Sequence, residues 1–273
     1  MIVVTGATGN VGRALVRLLV DVGEEVTAVA RHVSPADVPA GVRVVAADLA
    51  EPDGLRAAFD AAGGLFLLVA GEEPDAILDA AKTSGIARVV LLSSQGVGTR
   101  PEAYGHPARF EAAVRGSGLD WTVLRSGGMA ANALAWAGAV RERREVAAPF
   151  GDVGLPFVDP ADVAAVAAVV LREDGHAGRT YTLTGPAATT PRDRVAAIAA
   201  VLGEPVRFVE QTREDAAARM AGGMPPEAVA GTLAILGAPT EEERRVSPDV
   251  ERVLGRVPSP FTAWVRRNAA SFR

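Results

Sequence analysis

The chain has 273 residues, more than one fold core usually needs but comfortable for a doubly wound core with an added lobe. Hydrophobic residues make up 49% and charged residues 22%, a globular balance, and the net charge of −5 argues against a nucleic-acid surface. The absence of cysteine excludes disulfides, thiolate metal sites and cysteine nucleophiles, and His32, His106 and His176 lie too far apart in sequence to read as a metal site.

Ile2–Thr5 reads as a buried strand, so no signal peptide is expected ahead of the fold. Further strands are predicted at Val26–Ala30, Val42–Ala46, Leu65–Val69, Arg88–Leu92 and Trp121–Leu124, each a near-continuous apolar run of the kind helices cover on both faces. Helices are predicted between them at Val11–Val20, Pro52–Ala62, Pro74–Ser84 and Pro107–Gly116. This alternation predicts an α/β fold with a doubly wound parallel sheet of the Rossmann type, in the order 3-2-1-4-5-6. Pro160–Leu171 continues as a helix and Thr180–Thr184 as a strand. Ala161–Leu171 contains Asp162 and is too short to cross a bilayer, so a cytoplasmic protein without a membrane partner is expected. Past that point Thr190-Pro191, Ser247-Pro248 and Ser259-Pro260 each predict a helix start, and Gly203 and Gly255 predict two helix ends. Residues 1–185 are expected to form the dinucleotide-binding core, with 126–158 contributing to a substrate cleft and 186–273 forming a smaller C-terminal lobe.

The first strand runs straight into Gly6-Ala7-Thr8-Gly9-Asn10-Val11-Gly12 and then a helix, the context a phosphate-binding turn requires. Gly6 permits the turn, Gly9 admits a pyrophosphate, and Gly12 lets the helix pack on the strand. The helix N-terminus, Thr8 and Asn10 add hydrogen-bond donors. The second strand ends in Arg31-His32, where NAD binders usually carry a carboxylate. A guanidinium suits a 2′-phosphate, so NADP(H) is preferred, although Arg31 also reads as a solvated charge and NAD(H) stays open. Asp48 fits either the adenine amine, with Leu49 against the ring, or a helix cap, while the small residues Val69 and Ala70 let backbone lie against the adenosine or pyrophosphate.

These residues resemble the NmrA-like branch of the atypical short-chain dehydrogenase/reductase superfamily over nearly the whole chain. The resemblance continues through Leu92-Ser93-Ser94, Glu111, Ser117–Arg125, Asn132, Phe157–Ala164, Tyr181–Pro186, Ser247–Gly255 and Pro260–Trp264. It implies either an NAD(P)H-dependent reductase of quinones, dyes or aromatic natural products, or a non-catalytic NADP(H) sensor and regulator. Typical members of the superfamily use a Tyr-x-x-x-Lys pair, but here Tyr104 is followed at the lysine position by Ala108. Lys82 is the only lysine, on a helix before the fifth strand, so the lysine-assisted mechanism is excluded.

Tyr104, His106 and Ser93 are the remaining proton-handling candidates. Ser93 and Ser94 also fit a strand-end cap or cofactor contact, and His106 a helix cap. Gly128, Met129, Asn132, Trp136, Phe150 and Phe157 fit an apolar cleft for a flat aromatic or quinone-like ligand, or equally the packing of the lobe on the sheet. The leading expectation is hydride transfer from NAD(P)H to such a ligand, by a monomer or homodimer.

Overall fold

Parallel pairing starts at the first residues: the fully buried β1 (Ile2–Thr5) lies between β2 (Val26–Ala30) and β4 (Gly64–Leu68). The computed structural model describes residues 1–273. Adding β3 (Arg43–Ala46), β5 (Arg88–Ser94), β6 (Asp120–Ser126) and β8 (Arg179–Leu183) gives a seven-stranded parallel sheet, β3-β2-β1-β4-β5-β6-β8. The expected order 3-2-1-4-5-6 is present, with the Thr180–Thr184 prediction supplying the seventh strand one residue earlier.

Helices α1 (Asn10–Asp21), α2 (Arg56–Phe59), α3 (Pro74–Thr83), α4 (Gly96–Thr99), α5 (Gly105–Gly116), α6 (Ala137–Arg143) and α7 (Pro160–Arg172) follow in order. The segment expected as one helix over Pro52–Ala62 is a 3-10 turn, Pro52–Leu55, followed by the single turn of α2. Gly54 favours no helix, and the chain leaves α2 through Ala61 at φ 59°. Helix α5 starts two residues before the predicted Pro107, which the first turn tolerates because its N–H groups have no intrahelical partner.

Past β8 come α8 (Pro191–Leu202), α9 (Arg213–Met220), α10 (Pro226–Gly237), α11 (Glu241–Arg244), α12 (Asp249–Leu254) and α13 (Phe261–Arg267). Thr190 and Asp193 form a capping box at α8, and Gly203 and Gly255 end α8 and α12 in the left-handed conformation. At the other two Ser-Pro sites the helix begins one residue later than predicted. Ser259 bonds the buried Asp162 through its backbone N–H at 2.6 Å and its hydroxyl at 3.2 Å instead of capping α13.

Two cores flank the sheet. On one face α1, α7 and α12 bury Leu15, Leu19, Val163, Val166 and Val250; on the other α2, α3 and α5 bury Phe59, Ile77 and Phe110. A third core lies outside the sheet, where β7 (Glu145–Ala148) pairs in parallel with β9 (Arg207–Glu210) and α8 and α13 supply Ile198, Trp264 and Val265. Neither short strand stands out in the sequence, because β7 is half alanine and β9 is bounded by charges. The C-terminal segment is therefore divided: α8, α9, α10 and α13 build outside the sheet, while Val250 of α12 returns to the central core.

Candidate active site

All seven strands of the sheet point the same way, so the residues that follow them gather along one rim. Chain order reverses between β1 and β4, and this is the crevice where such sheets take ligands. Thr5 joins the two strand ends there: its hydroxyl donates to the Phe66 carbonyl at 2.9 Å and accepts from the Leu68 N–H at 2.9 Å.

The glycine turn opens onto this crevice. Gly6 has φ +62°, and a Cβ on Gly12 would lie 2.1 Å from the Gly6 carbonyl oxygen, so helix and turn touch backbone to backbone. Gly9 differs, because a Cβ there would meet only the Gly6 oxygen, at 3.2 Å. No side chain caps the N-terminus of α1 and no acidic residue sits in its first turn, which leaves its N–H groups and dipole to an incoming anion. The donor set fits a pyrophosphate. Arg13, which the sequence reading passed over, reaches back to the Thr8 carbonyl at 3.1 Å and adds positive charge.

Arg31 and His32 are exposed just beyond β2, and neither is engaged in an ion pair. The Asp48 carboxylate accepts from the Ala50 N–H at 3.0 Å, so locally it closes a turn but caps no helix, the next 3-10 turn being preceded by Glu51. Leu49 is buried, and a Cβ on Gly71 would lie 2.6 Å from the Leu49 carbonyl oxygen. The Val69–Gly71 segment thus lies directly against Leu49 and Ala50.

Beyond β5 the proton-handling candidates separate. Ser93 is buried and its hydroxyl donates to Glu111 Oε1 at 2.7 Å, so its proton is committed to the interior. Arg125 binds the same carboxylate through Nε at 2.9 Å and Nη2 at 2.8 Å, and Arg115 adds a contact at 2.8 Å. Burial pushes the Glu111 carboxyl up, but the Arg125 and Ser93 hydrogen bonds and the two guanidinium charges outweigh it and hold the group below its ordinary value. His106 Nε2 lies 2.8 Å from the Gly71 carbonyl and its ring meets Phe110 edge-on, so it docks α5 on the loop after β4.

Tyr104 alone of the three faces open space with its proton available. Its ring packs on Gly96, where a Cβ would lie 2.3 Å away. Burial pushes the phenol up, the hydroxyls of Thr232 and Ser94 pull less strongly the other way, and the group stays protonated at neutral pH.

Tyr104 lines a cavity of about 850 Å³ that runs from the ends of β5 and β6 to the outer lobe. Ser94, Gly128, Met129, Asn132, Trp136 and Phe157 are all on its wall. Phe150 is not. It stands behind the wall against Gly237 and the Ala216–Val229–Leu233 cluster, with φ 55° turning its ring away. The far wall, where α9 and α10 bring Met220, Thr232, Ile235 and Leu236, carries no signal in the sequence. Arg194 of α8, not among the expected site residues, stacks on Phe157 and Trp136 with its guanidinium carbon 3.8 and 5.0 Å from the ring centroids. The one available signal was a cation in the first turn of a helix, where the dipole disfavours it.

No helix is long and apolar enough to cross a membrane. A parallel sheet with a glycine turn at its first strand end and a free helix N-terminus above it defines a dinucleotide-binding protein of the Rossmann type. The pattern of the NAD(P)H-binding family matches residues 6–174, and the chain belongs to that family. It is 38% identical to a (4-alkanoyl-5-oxo-2,5-dihydrofuran-3-yl)methyl phosphate reductase of Streptomyces griseus, over 100% of this chain and 99% of the other. It is 34% identical to an NAD(P)H azoreductase of Xenophilus azovorans, again over 100% and 99%. Among solved structures it is similar to an NADPH-dependent quinone oxidoreductase of Escherichia coli complexed with NADPH, with a TM-score of 0.80 and 26% identity over 98% and 99% of the chains.

Proposed function

We propose that this protein is an NAD(P)H-dependent reductase of the NmrA-like type that reduces a quinone-like or aromatic electron acceptor. The observation that carries the reading is the 850 Å³ cavity, which shares the rim of the sheet with the glycine turn and has a mostly apolar wall. The relatives act by name on an azo compound, a quinone and a furanone phosphate, so what their names have in common is reduction, and two of the three name NAD(P)H or NADPH as the reductant.

When bound, the dinucleotide supplies a hydride from C4 of its nicotinamide. The α1 N-terminus and Gly9 receive the pyrophosphate, Asp48, Leu49, Val69 and Ala70 flank the adenosine, and the exposed Arg31 meets a 2′-phosphate, which favours NADPH over NADH. Ser94 and Gly128 form the floor on which the acceptor lies, and Trp136 and Phe157 exclude water from one side of it. Reduction of a quinone takes one hydride and one proton, and Tyr104 holds that proton on Oη at neutral pH. A delocalised product oxyanion needs little acid help, so the missing lysine is no obstacle, and orientation supplies much of the rate.

The test is NADPH oxidation by the purified protein with a panel of quinones, azo dyes and aromatic ketones. Turnover with at least one of them is expected. Protein that binds NADPH by calorimetry yet oxidises it with none would overturn the reading in favour of a binding-only sensor.

A further inference from the structure

Arg194 is 5% exposed, and its Nε is buried without a hydrogen-bond partner. The nearest acid in sequence, Asp193, is occupied at the helix cap, where its carboxylate accepts from the Thr190 N–H at 2.9 Å and the Thr190 hydroxyl at 2.8 Å. No ion pair of the protein includes Arg194. The residue also stands in the first turn of α8, at the positive end of the helix dipole, so helix and burial both oppose its charge. The faces of Phe157 and Trp136 offset part of that cost, but an aromatic face offers no acceptor for the guanidinium N–H groups.

Unpartnered buried cations are rare because leaving one costs several kcal/mol, and they persist where a ligand completes them. Arg194 lies on the cavity wall, as does Arg219, whose side chain reaches only the Ala147 carbonyl at 3.2 Å. Glu243 is the sole acid on that wall, and Arg100 neutralises it at 2.8 Å. The cavity wall therefore carries two cations that no acid of the wall offsets, in a chain whose net charge is −5. The glycine turn does not line this cavity, which separates Arg194 from the place offered to the cofactor's pyrophosphate.

We infer that the substrate carries an anionic group, a carboxylate, sulfonate or phosphate monoester on its conjugated ring system, and that Arg194 binds this group while Phe157 and Trp136 flank it. The inference rests on the reductase reading and narrows its substrate class. Burial pushes Arg194 down to about 10, so the guanidinium stays charged at neutral pH and can play this part.

The test uses NADP⁺-loaded protein in calorimetric titrations with 2-naphthoate, naphthalene-2-sulfonate, 2-naphthyl phosphate and neutral 2-naphthol. A charge-assisted contact makes the best of the three anions bind about 10- to 150-fold more tightly than 2-naphthol. Their ranking identifies the head group. Arg194→Met, which keeps length and apolar bulk, is expected to erase the preference, and Arg194→Lys to keep part of it. A parallel comparison of 1,2-naphthoquinone with its 4-sulfonate follows NADPH oxidation in wild type and Arg194→Met. The substitution is expected to lower kcat/KM for the sulfonate, through KM, at least tenfold more than it lowers kcat/KM for the neutral quinone. Intrinsic reactivity cancels because each quinone is compared with itself. Equal binding of anions and 2-naphthol by wild type, or a preference that survives in Arg194→Met, would overturn the inference while leaving the reductase reading intact. Failure to reduce either quinone would count against that reading, and the titrations would still decide the anion site.

Discussion

Arg100 and Glu243, 143 residues apart, are joined by two hydrogen bonds of 2.8 and 2.9 Å, from Nε to Oε1 and from Nη2 to Oε2. The pair ties the loop after β5 to α11, and Arg100 also donates to the Ala238 carbonyl at 2.8 Å, so one guanidinium fastens the outer wall of the cavity to the sheet. Glu243 is 2% exposed, and removing its charge strands a half-buried cation. Glu243→Gln should therefore cost about 3 kcal/mol and lower the thermal midpoint by roughly 6 °C or more. A melt unchanged within about 1 °C would show that the two segments are held together by packing alone.

The same pair and the Glu111 network set an acid limit. Burial pushes both carboxyls up, but their hydrogen bonds to Arg100 and Arg125 prevail, so both titrate below their ordinary 4.5 in the folded protein. A depressed carboxylate stabilises the fold above the unfolded value, and that stability disappears as pH falls through the folded one. Denaturant melts of wild type and Glu111→Gln should differ at pH 7, and the gap should close as pH drops below 4.5. A gap that stays constant at lower pH would mean that the lost contribution is not the carboxylate charge.

The sheet was legible because its six leading strands are near-continuous apolar runs and the passage from β1 into α1 carries three glycines with distinct duties. The outer lobe was not. Its strands β7 and β9 are four residues each and acquire meaning only by pairing across 62 residues, as in Glu145 with Arg207. Five of the six expected cleft residues do gather on one wall, because Gly128 to Trp136 follow β6 directly and Phe157 returns beside Gly128. Phe150 was misread because its position depends on a positive φ, which a phenylalanine in a sequence does not announce. Arg194 was invisible for a similar reason: a helix written Thr-Pro-Arg-Asp-Arg looks solvated until two aromatic rings are found against it.

Two glycines of the first turn should fail in different ways. Gly9 has φ −79° and its Cβ would meet only the Gly6 carbonyl oxygen, at 3.2 Å, a tight contact that a small backbone shift relieves, so Gly9→Val should still fold, with a melt lowered less than that of Gly12→Val, and lose NADPH binding by calorimetry. Gly12→Val should instead destabilise the protein, because its Cβ would collide with the Gly6 carbonyl at 2.1 Å. Unchanged NADPH affinity in folded Gly9→Val would move the pyrophosphate site elsewhere.

Under the proposed function, cofactor choice falls to Arg31, which is exposed beyond β2 and engaged in no ion pair. Loss of one charge-assisted contact costs about 1.5–3 kcal/mol, or about 10- to 150-fold in affinity. Arg31→Ala should weaken NADPH by that factor and leave NADH nearly unchanged. Parallel losses for the two cofactors would show that the residue does not read the 2′-phosphate.

Turnover should depend more on the shape of the cavity than on its acid. Tyr104 keeps its proton at neutral pH, but a quinone product is a weak base and water can reach the open side of the cavity. Tyr104→Phe should then lower kcat by about tenfold or less, below the 10²–10⁴ typical of an essential acid. His106→Ala should do no more, since the imidazole faces the Gly71 carbonyl and not the cavity. Gly128→Leu should be far more damaging. Even a Cβ at that position would lie 2.7 Å from the Phe157 ring. The larger side chain would displace that ring together with the Arg194 guanidinium stacked on it, and would fill the part of the cavity proposed to hold the acceptor. Steady-state kinetics of the three variants with one quinone, alongside NADPH affinity to show that the cofactor still binds, separate the two contributions. A loss above about 10³-fold in Tyr104→Phe with Gly128→Leu still active would make the phenol an essential acid and reverse the order argued here.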